Sequence, residues 1–189
     1  MRIRSHSLIL ASLFVVAFRS ASAQQLPGAN VPCDVTSPNG IVAGETARQD
    51  ESYGNALLSV GPFGLWPDGT VIFRPGGAGS VTPDGALSMK FGWTRGVPGK
   101  LKVTGRRLDA EAPPLRSDIP CCYDETGFQA SALIFSTPGC WEVTAQIGDR
   151  ADSKLTFVTR VVKIGDGPGQ WDPYGPQSPV LSHKKPTVN

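Results

Sequence analysis

The densest group of side chains with chemical potential is Gly105-Arg106-Arg107-Leu108-Asp109, followed by Arg116 and Asp118. Two or three guanidinium groups around one loop can clamp a carboxylate, a sulfate or an acidic sugar by paired hydrogen bonds. The same arginines can instead pair with Asp109, Glu111 and Asp118 and pin a proline-rich loop to the domain; this second role is the expectation. Trp66, in the turn Trp66-Pro67-Asp68-Gly69, is the best candidate for an exposed ring that stacks on a sugar. Arg106, Arg107, Asp109, Arg116 and Trp66 are therefore the candidate binding residues. Lys90, Lys100, Lys102 and Arg106 fall on outward strand positions. They make either a basic stripe for an anionic polymer or the ordinary solvated face of a sheet.

Catalytic constellations are harder to find. A glycosidase needs two facing acids at a set distance. Asp68, Asp84, Asp109, Glu111, Asp124, Glu125 and Glu142 are available, but most sit in turns, where aspartate serves local hydrogen bonding. Only two histidines exist, His6 and His183, so a Ser-His-Asp triad, a Cys-His pair or a His-rich metal site has little to draw on. Gly76-Gly77-Ala78-Gly79 lacks the Lys-Ser/Thr of a phosphate loop and reads as a connector. No catalytic residue, metal site or cofactor is expected.

The N-terminus points to export. Arg2 and Arg4 precede an apolar run from Leu8 to Phe18, and Ala21-Ser22-Ala23 supplies the small residues of a cleavage site. The run is too short to span a bilayer as a stable helix. Cleavage after Ala23 is expected, which removes His6 and places the protein outside the cytoplasm, secreted or periplasmic. No later apolar stretch is long enough for a membrane span. The chain has 18 Lys and Arg against 16 Asp and Glu, but Arg2, Arg4 and Arg19 belong to the leader. Without them the domain is near neutral, so bulk electrostatics gives no support to a nucleic-acid partner.

Four cysteines survive cleavage: Cys33, Cys121, Cys122 and Cys140. An even count in an exported protein suggests disulfides. Adjacent cysteines rarely bond each other, because the eight-membered ring strains the peptide. A Cys33–Cys140 bridge is favoured, tying the N-terminal segment to the end of the domain, and closing so long a loop contributes roughly 4 kcal/mol. Cys121 and Cys122 then remain as a vicinal pair or as free thiols. The competing pairing joins one of them to Cys33 or Cys140.

The elements that must position these residues are strands. Glycine and proline number 22 and 17, which favours short strands and tight turns over long helices. Residues 24–52 form an irregular lead-in. Strands are expected over 56–60, 70–74, 86–93, 100–108 and 127–135, followed by a closing hairpin over 140–147 and 154–164. The clearest alternation sets Leu87, Met89, Phe91 and Trp93 against Ala86, Ser88, Lys90 and Gly92. In the hairpin, Trp141, Val143, Ala145 and Ile147 alternate with Cys140, Glu142, Thr144 and Gln146. Trp93 and Trp141 are thus expected in the core. Residues 109–126 read as a loop, and residues 165–189 as a flexible Pro- and Gly-rich tail.

About seven strands with regular turn signals indicate an all-β domain over residues 53–164, a single immunoglobulin-like antiparallel β-sandwich. Trp93 stands where such a sandwich carries its core tryptophan on a middle strand. Cys140 falls on the face opposite Trp141, so the likeness is to the architecture and not to antibody domains.

The segments LWPDGTVIF, LSMKFGWTRGVPGKLKVTGRRLDAEAPPLR, GFQASALIFSTPGCWEVT and LTFVTRVVKI resemble a group of small secreted bacterial proteins of unknown function. The resemblance covers Tyr53 to Ile164 and implies fold and location, but no catalytic residue. The functional expectation is a non-catalytic module at the cell envelope that binds an unknown protein or envelope polymer, or serves structurally. The alternative is a carboxylate-based hydrolase acting on glycans.

Overall fold

A computed structural model describes residues 32–61 and 68–170. The cleavage site after Ala23, the first part of the lead-in, Trp66, and the tail from residue 171, which includes His183, lie outside them. The described residues form ten strands: β1 (Tyr53–Gly54), β2 (Leu58–Val60), β3 (Thr70–Phe73), β4 (Ser80–Val81), β5 (Leu87–Arg95), β6 (Leu101–Arg107), β7 (Arg116–Asp118), β8 (Gly127–Phe135), β9 (Gly139–Ile147) and β10 (Leu155–Lys163). One sheet runs β1-β2-β5-β8-β7, with β4 also paired to β5; the other runs β3-β10-β9-β6. Setting aside the two-residue β1 and β4 and the parallel-paired β3, seven strands remain. The first, second, fifth and fourth share one sheet, and the third, sixth and seventh the other. That is the strand allocation of an immunoglobulin-like sandwich.

Two features depart from the antiparallel seven-strand expectation. The strand count is higher, because β1, β4 and β7 are two or three residues long and carry no readable alternation. In addition, β3 pairs parallel to β10, from Arg160↔Thr70 to Lys163↔Phe73. Its predecessor β2 lies in the other sheet, so no hairpin ties β3 to its neighbour and its direction is free to differ. β7 falls within the stretch that reads as a loop, and pairs with β8 at Arg116↔Ile134 through Asp118↔Ala132. The first residues of the expected tail are also docked. Gly169 accepts a hydrogen bond from the Val81 amide at 3.0 Å, and Gly167 and Pro168 are buried.

Period-two patterning decides which faces meet. Along β5 the buried set is Leu87, Met89, Phe91, Trp93 and Arg95; along β9 it is Trp141, Val143, Ala145 and Ile147. Trp93 and Trp141 are both fully buried. Trp93 stacks near Phe91, with ring centroids 6.3 Å apart, and Phe135 meets Trp141 edge-on at 5.5 Å. Trp93 lies on the second of the seven strands rather than the third, where antibody domains carry their core tryptophan. Trp93 and Trp141 therefore occupy the two strands that antibody domains join by a disulfide.

The bridge here is a different one. Cys140 faces away from the core and bonds Cys33, with Cα atoms 5.5 Å apart. The lead-in covers it, so Cys140 is buried. The same lead-in exchanges hydrogen bonds with β10: the Thr36 amide donates to the Val158 carbonyl, and the Val158 amide donates to Thr36 Oγ1, each at 2.9 Å. Cys121 and Cys122 are bonded to each other, which removes the free-thiol alternative and the competing pairing.

Candidate functional site

The sandwich separates the arginine cluster. Arg106 and Arg107 are consecutive on β6, so they leave on opposite faces. Arg106 Nε donates to Glu142 Oε1 at 2.8 Å, its cross-strand neighbour on β9. Arg107 turns toward the end of the sandwich. Its Nε donates to Asp109 Oδ1 at 2.7 Å and its Nη1 to Thr137 Oγ1 at 3.0 Å. Arg116 is on β7 in the other sheet, where Nη2 donates to Asp84 Oδ2 at 2.8 Å. The three guanidinium groups do not converge on one ligand. The basic stripe is divided in the same way, since Lys90 lies on β5 in one sheet while Lys102 and Arg106 lie on β6 in the other.

Gly139 explains why Arg107 sits where it does. Its φ is +147°, and a Cβ there would collide with the Arg107 guanidinium. Only glycine lets the β9 backbone approach that closely. Gly105 plays the matching part on β6, where a Cβ would lie 2.7 Å from the Glu142 carbonyl and 3.1 Å from Leu115 Cβ. Leu115 can therefore pack against the strand and hold the segment that leads into β7, with its amide donating to the Gly105 carbonyl at 3.0 Å.

The carboxylates have one electrostatic character. The Asp109 carboxyl is held below its ordinary value near 3.8, chiefly by the hydrogen bond from Arg107. The Asp84 carboxyl is lowered first by the Thr82 hydroxyl and then by Arg116. Lys102 lowers Asp149, and Arg150 lowers Asp152. Hydrogen bonds and adjacent positive charge both favour the ionised form.

Arg107 thus ties Asp109 to the turn at Thr137, and the tie has a testable pH signature. Arg107→Ala is expected to lower stability by about 1–2 kcal/mol, because Asp109 and Thr137 lose their donor in a half-buried site. A carboxylate whose pKa falls on folding contributes stability above its unfolded value and loses it as pH falls through the folded one. The wild type should therefore lose more stability than the variant as pH is taken below about 3.8. Parallel acid limbs in urea titrations of the two proteins would contradict the assignment.

A site that the sequence pattern did not single out lies beside the Cys33–Cys140 bridge. An open groove of about 500 Å³ is lined by Pro32, Cys33, Asp109, Cys140, Arg160 and Lys163, among others. β10 builds it. Alternation turns Phe157, Thr159 and Val161 inward and leaves Arg160 exposed on the outer face. Neither Arg160 nor Lys163 forms an ion pair with another described residue. On the far wall, Asp109 is already paired with Arg107. The groove thus presents Arg160, with no ion-pair partner among the described residues, beside an acid whose charge is satisfied, while Lys163 stands at the strand end with its side chain against Gly167. The alternation of 154–164 was the signal for Arg160, but it could not tell which outward cations find partners. Among the described residues no group of three or more His, Cys, Asp or Glu side chains is placed to hold a metal ion. A scan against protein-family models and a search of curated proteins return no match to this chain.

Proposed function

We propose that this chain is an exported, non-catalytic β-sandwich module that binds an anionic cell-envelope polymer or an acidic segment of another protein. The observation that carries the reading is the open groove on the outer face of β10, where Arg160 stands with no ion-pair partner among the described residues and Lys163 lies at the rim. Such a groove suits an extended anionic ligand, which needs exposed cations and no enclosing pocket. The buried Cys33–Cys140 bridge fits an oxidising compartment and makes one wall of the groove rigid.

Two of the acids that a glycan hydrolase could draw on, Asp84 and Asp109, are held in the ionised form, which does not suit a general acid. A general acid in such an enzyme needs a raised pKa, and every described carboxylate with a displaced pKa is displaced downward by a cation or a hydroxyl. These acids are committed to holding turns and strands together.

The test is capture of the mature protein on immobilised polygalacturonate, dextran sulfate and isolated envelope fractions. Binding should weaken as salt rises. Arg160→Ala/Lys163→Ala should weaken it about ten-fold or more, with the melting temperature nearly unchanged because both side chains are solvated. Equal capture by the double variant would refute the groove as the binding site. Release of reducing sugar from a glycan would move the protein into the hydrolase class.

A further inference from the structure

Cys121 and Cys122 sit in the connection from β7 to β8, and both are exposed. The bond between them closes no loop of chain, so it adds essentially nothing through the entropy of the unfolded state. In contrast, the Cys33–Cys140 bridge spans 107 positions, and Cys140 is only 2% exposed. One bridge therefore holds the fold, and the other constrains only its own neighbourhood.

That neighbourhood is unusual in three ways. Cys122 has φ of +74° and is the sole non-glycine residue with positive φ among the described residues. An L-residue held there sits about 1–2 kcal/mol above its preferred conformations. Two of the three exposed large hydrophobic side chains among the described residues also meet here, Tyr123 in the loop and Phe128 at the start of β8, with their rings edge-on at 6.3 Å. Finally, the loop is held from beneath by side chains of the sheet. Arg95, buried at the end of β5, donates through Nη2 to the Asp124 carbonyl and through Nη1 to the Gly99 carbonyl at 2.8 Å. Gln129 Nε2 donates to the Pro120 carbonyl at 3.2 Å. The anchors at Pro120 and Asp124 flank the cysteine pair on both sides.

We propose that Cys121–Cys122 is a thiol–disulfide exchange site whose reduction by a dithiol releases the aromatic loop while Cys33–Cys140 stays oxidised. A thiolate of the dithiol attacks one exposed Sγ, the Cys121–Cys122 bond breaks, and the other cysteine leaves as a thiolate that takes up a proton. The second thiol of the reductant then attacks the mixed disulfide. The reductant departs as a cyclic disulfide, and the protein gains two electrons and two protons as a pair of thiols. Once the ring is open, nothing covalent keeps Cys122 in the left-handed region. Its relaxation to negative φ displaces Pro120 and Asp124 relative to Arg95 and Gln129, and with them Tyr123. The loop therefore has two states set by the redox poise around the protein.

The mature protein is exposed to dithiothreitol, samples are quenched with N-ethylmaleimide over time, and peptides are mapped by mass. Cys121 and Cys122 should acquire label with a half-time at least about ten-fold shorter than Cys33 and Cys140. Amide hydrogen exchange should rise about ten-fold or more across residues 119–128 and stay unchanged in β9 and β10. Oxidised dithiothreitol should restore the original protection. Cys121→Ser/Cys122→Ser should exchange like the reduced wild type, with no loss of melting temperature beyond a few degrees. Simultaneous opening of the two bridges, free thiols at 121 and 122 in the exported protein, or reduction without a change in loop exchange would each overturn the proposal.

Discussion

Trp93→Ala is expected to destabilise the domain by about 3–5 kcal/mol, a large part of the 5–15 kcal/mol that holds a typical domain together. Trp93 is fully buried between Phe91, at 6.3 Å, and Phe157, at 6.4 Å, whose rings belong to different sheets. Removing the indole deletes this inter-sheet contact and leaves a cavity that two β-sheets cannot close without shifting register. It also orphans a polar group, since Trp93 Nε1 donates to the buried Ser131 Oγ at 2.8 Å. Trp141→Ala should behave alike, because Trp141 packs on Phe135 and its Nε1 donates to the Thr137 carbonyl at 3.1 Å. Urea melts decide the matter: the midpoint should fall sharply in both variants. Trp93→Phe should recover part of the loss, since it restores apolar volume without the hydrogen bond. Midpoints close to wild type would mean that the two rings are not the core of the sandwich.

Loss of the Cys33–Cys140 bridge should be of similar size. With 107 positions between the two residues, the chain-entropy model assigns the cross-link about 4–5 kcal/mol. The Cα separation of 5.5 Å lies within the range that a disulfide spans without backbone movement. Cys33→Ala/Cys140→Ala should lower the urea midpoint and raise the m-value, because the unfolded chain without the cross-link is more expanded. It should also loosen the lead-in, whose remaining ties to β10 include the hydrogen bonds of Thr36 with Val158. The comparison variant is Cys121→Ser/Cys122→Ser, which removes a bond that closes no loop and should scarcely move the midpoint. Equal losses in the two double variants would contradict the division between a structural and a local bridge.

The long strands were legible in the sequence because alternation is a local property. β8 occupies the expected 127–135, and β5, β6, β9 and β10 lie where the alternating runs placed them. The burial of Trp93 and Trp141 followed from the same pattern. The Cys33–Cys140 pairing was reachable by elimination, since an oxidising compartment and an even count leave few choices. By contrast, β1, β4 and β7 are two or three residues long, too short to show a period, and exist only because a longer neighbour supplies their hydrogen bonds.

The sequence by itself therefore determined the all-β class and the core faces, and favoured the Cys33–Cys140 tie without excluding the competing pairing. Each rests on residue type or on spacing within a few positions. Only the tertiary structure decided where the charges go. Arg107 and Arg116 are nine residues apart in the chain but lie in different sheets, each committed to its own aspartate, so the apparent clamp is dispersed. Arg160 looks like an ordinary outward residue of a strand, and Lys163 like the solvated end of one. They gain significance from a groove assembled by Cys33, Asp109 and Cys140, which the chain brings together from distant positions. The vicinal bond between Cys121 and Cys122 was likewise beyond spacing rules, because it depends on a left-handed backbone that the surrounding loop must hold. Pairing, register and partner choice are long-range properties, and no local pattern of residues encodes them.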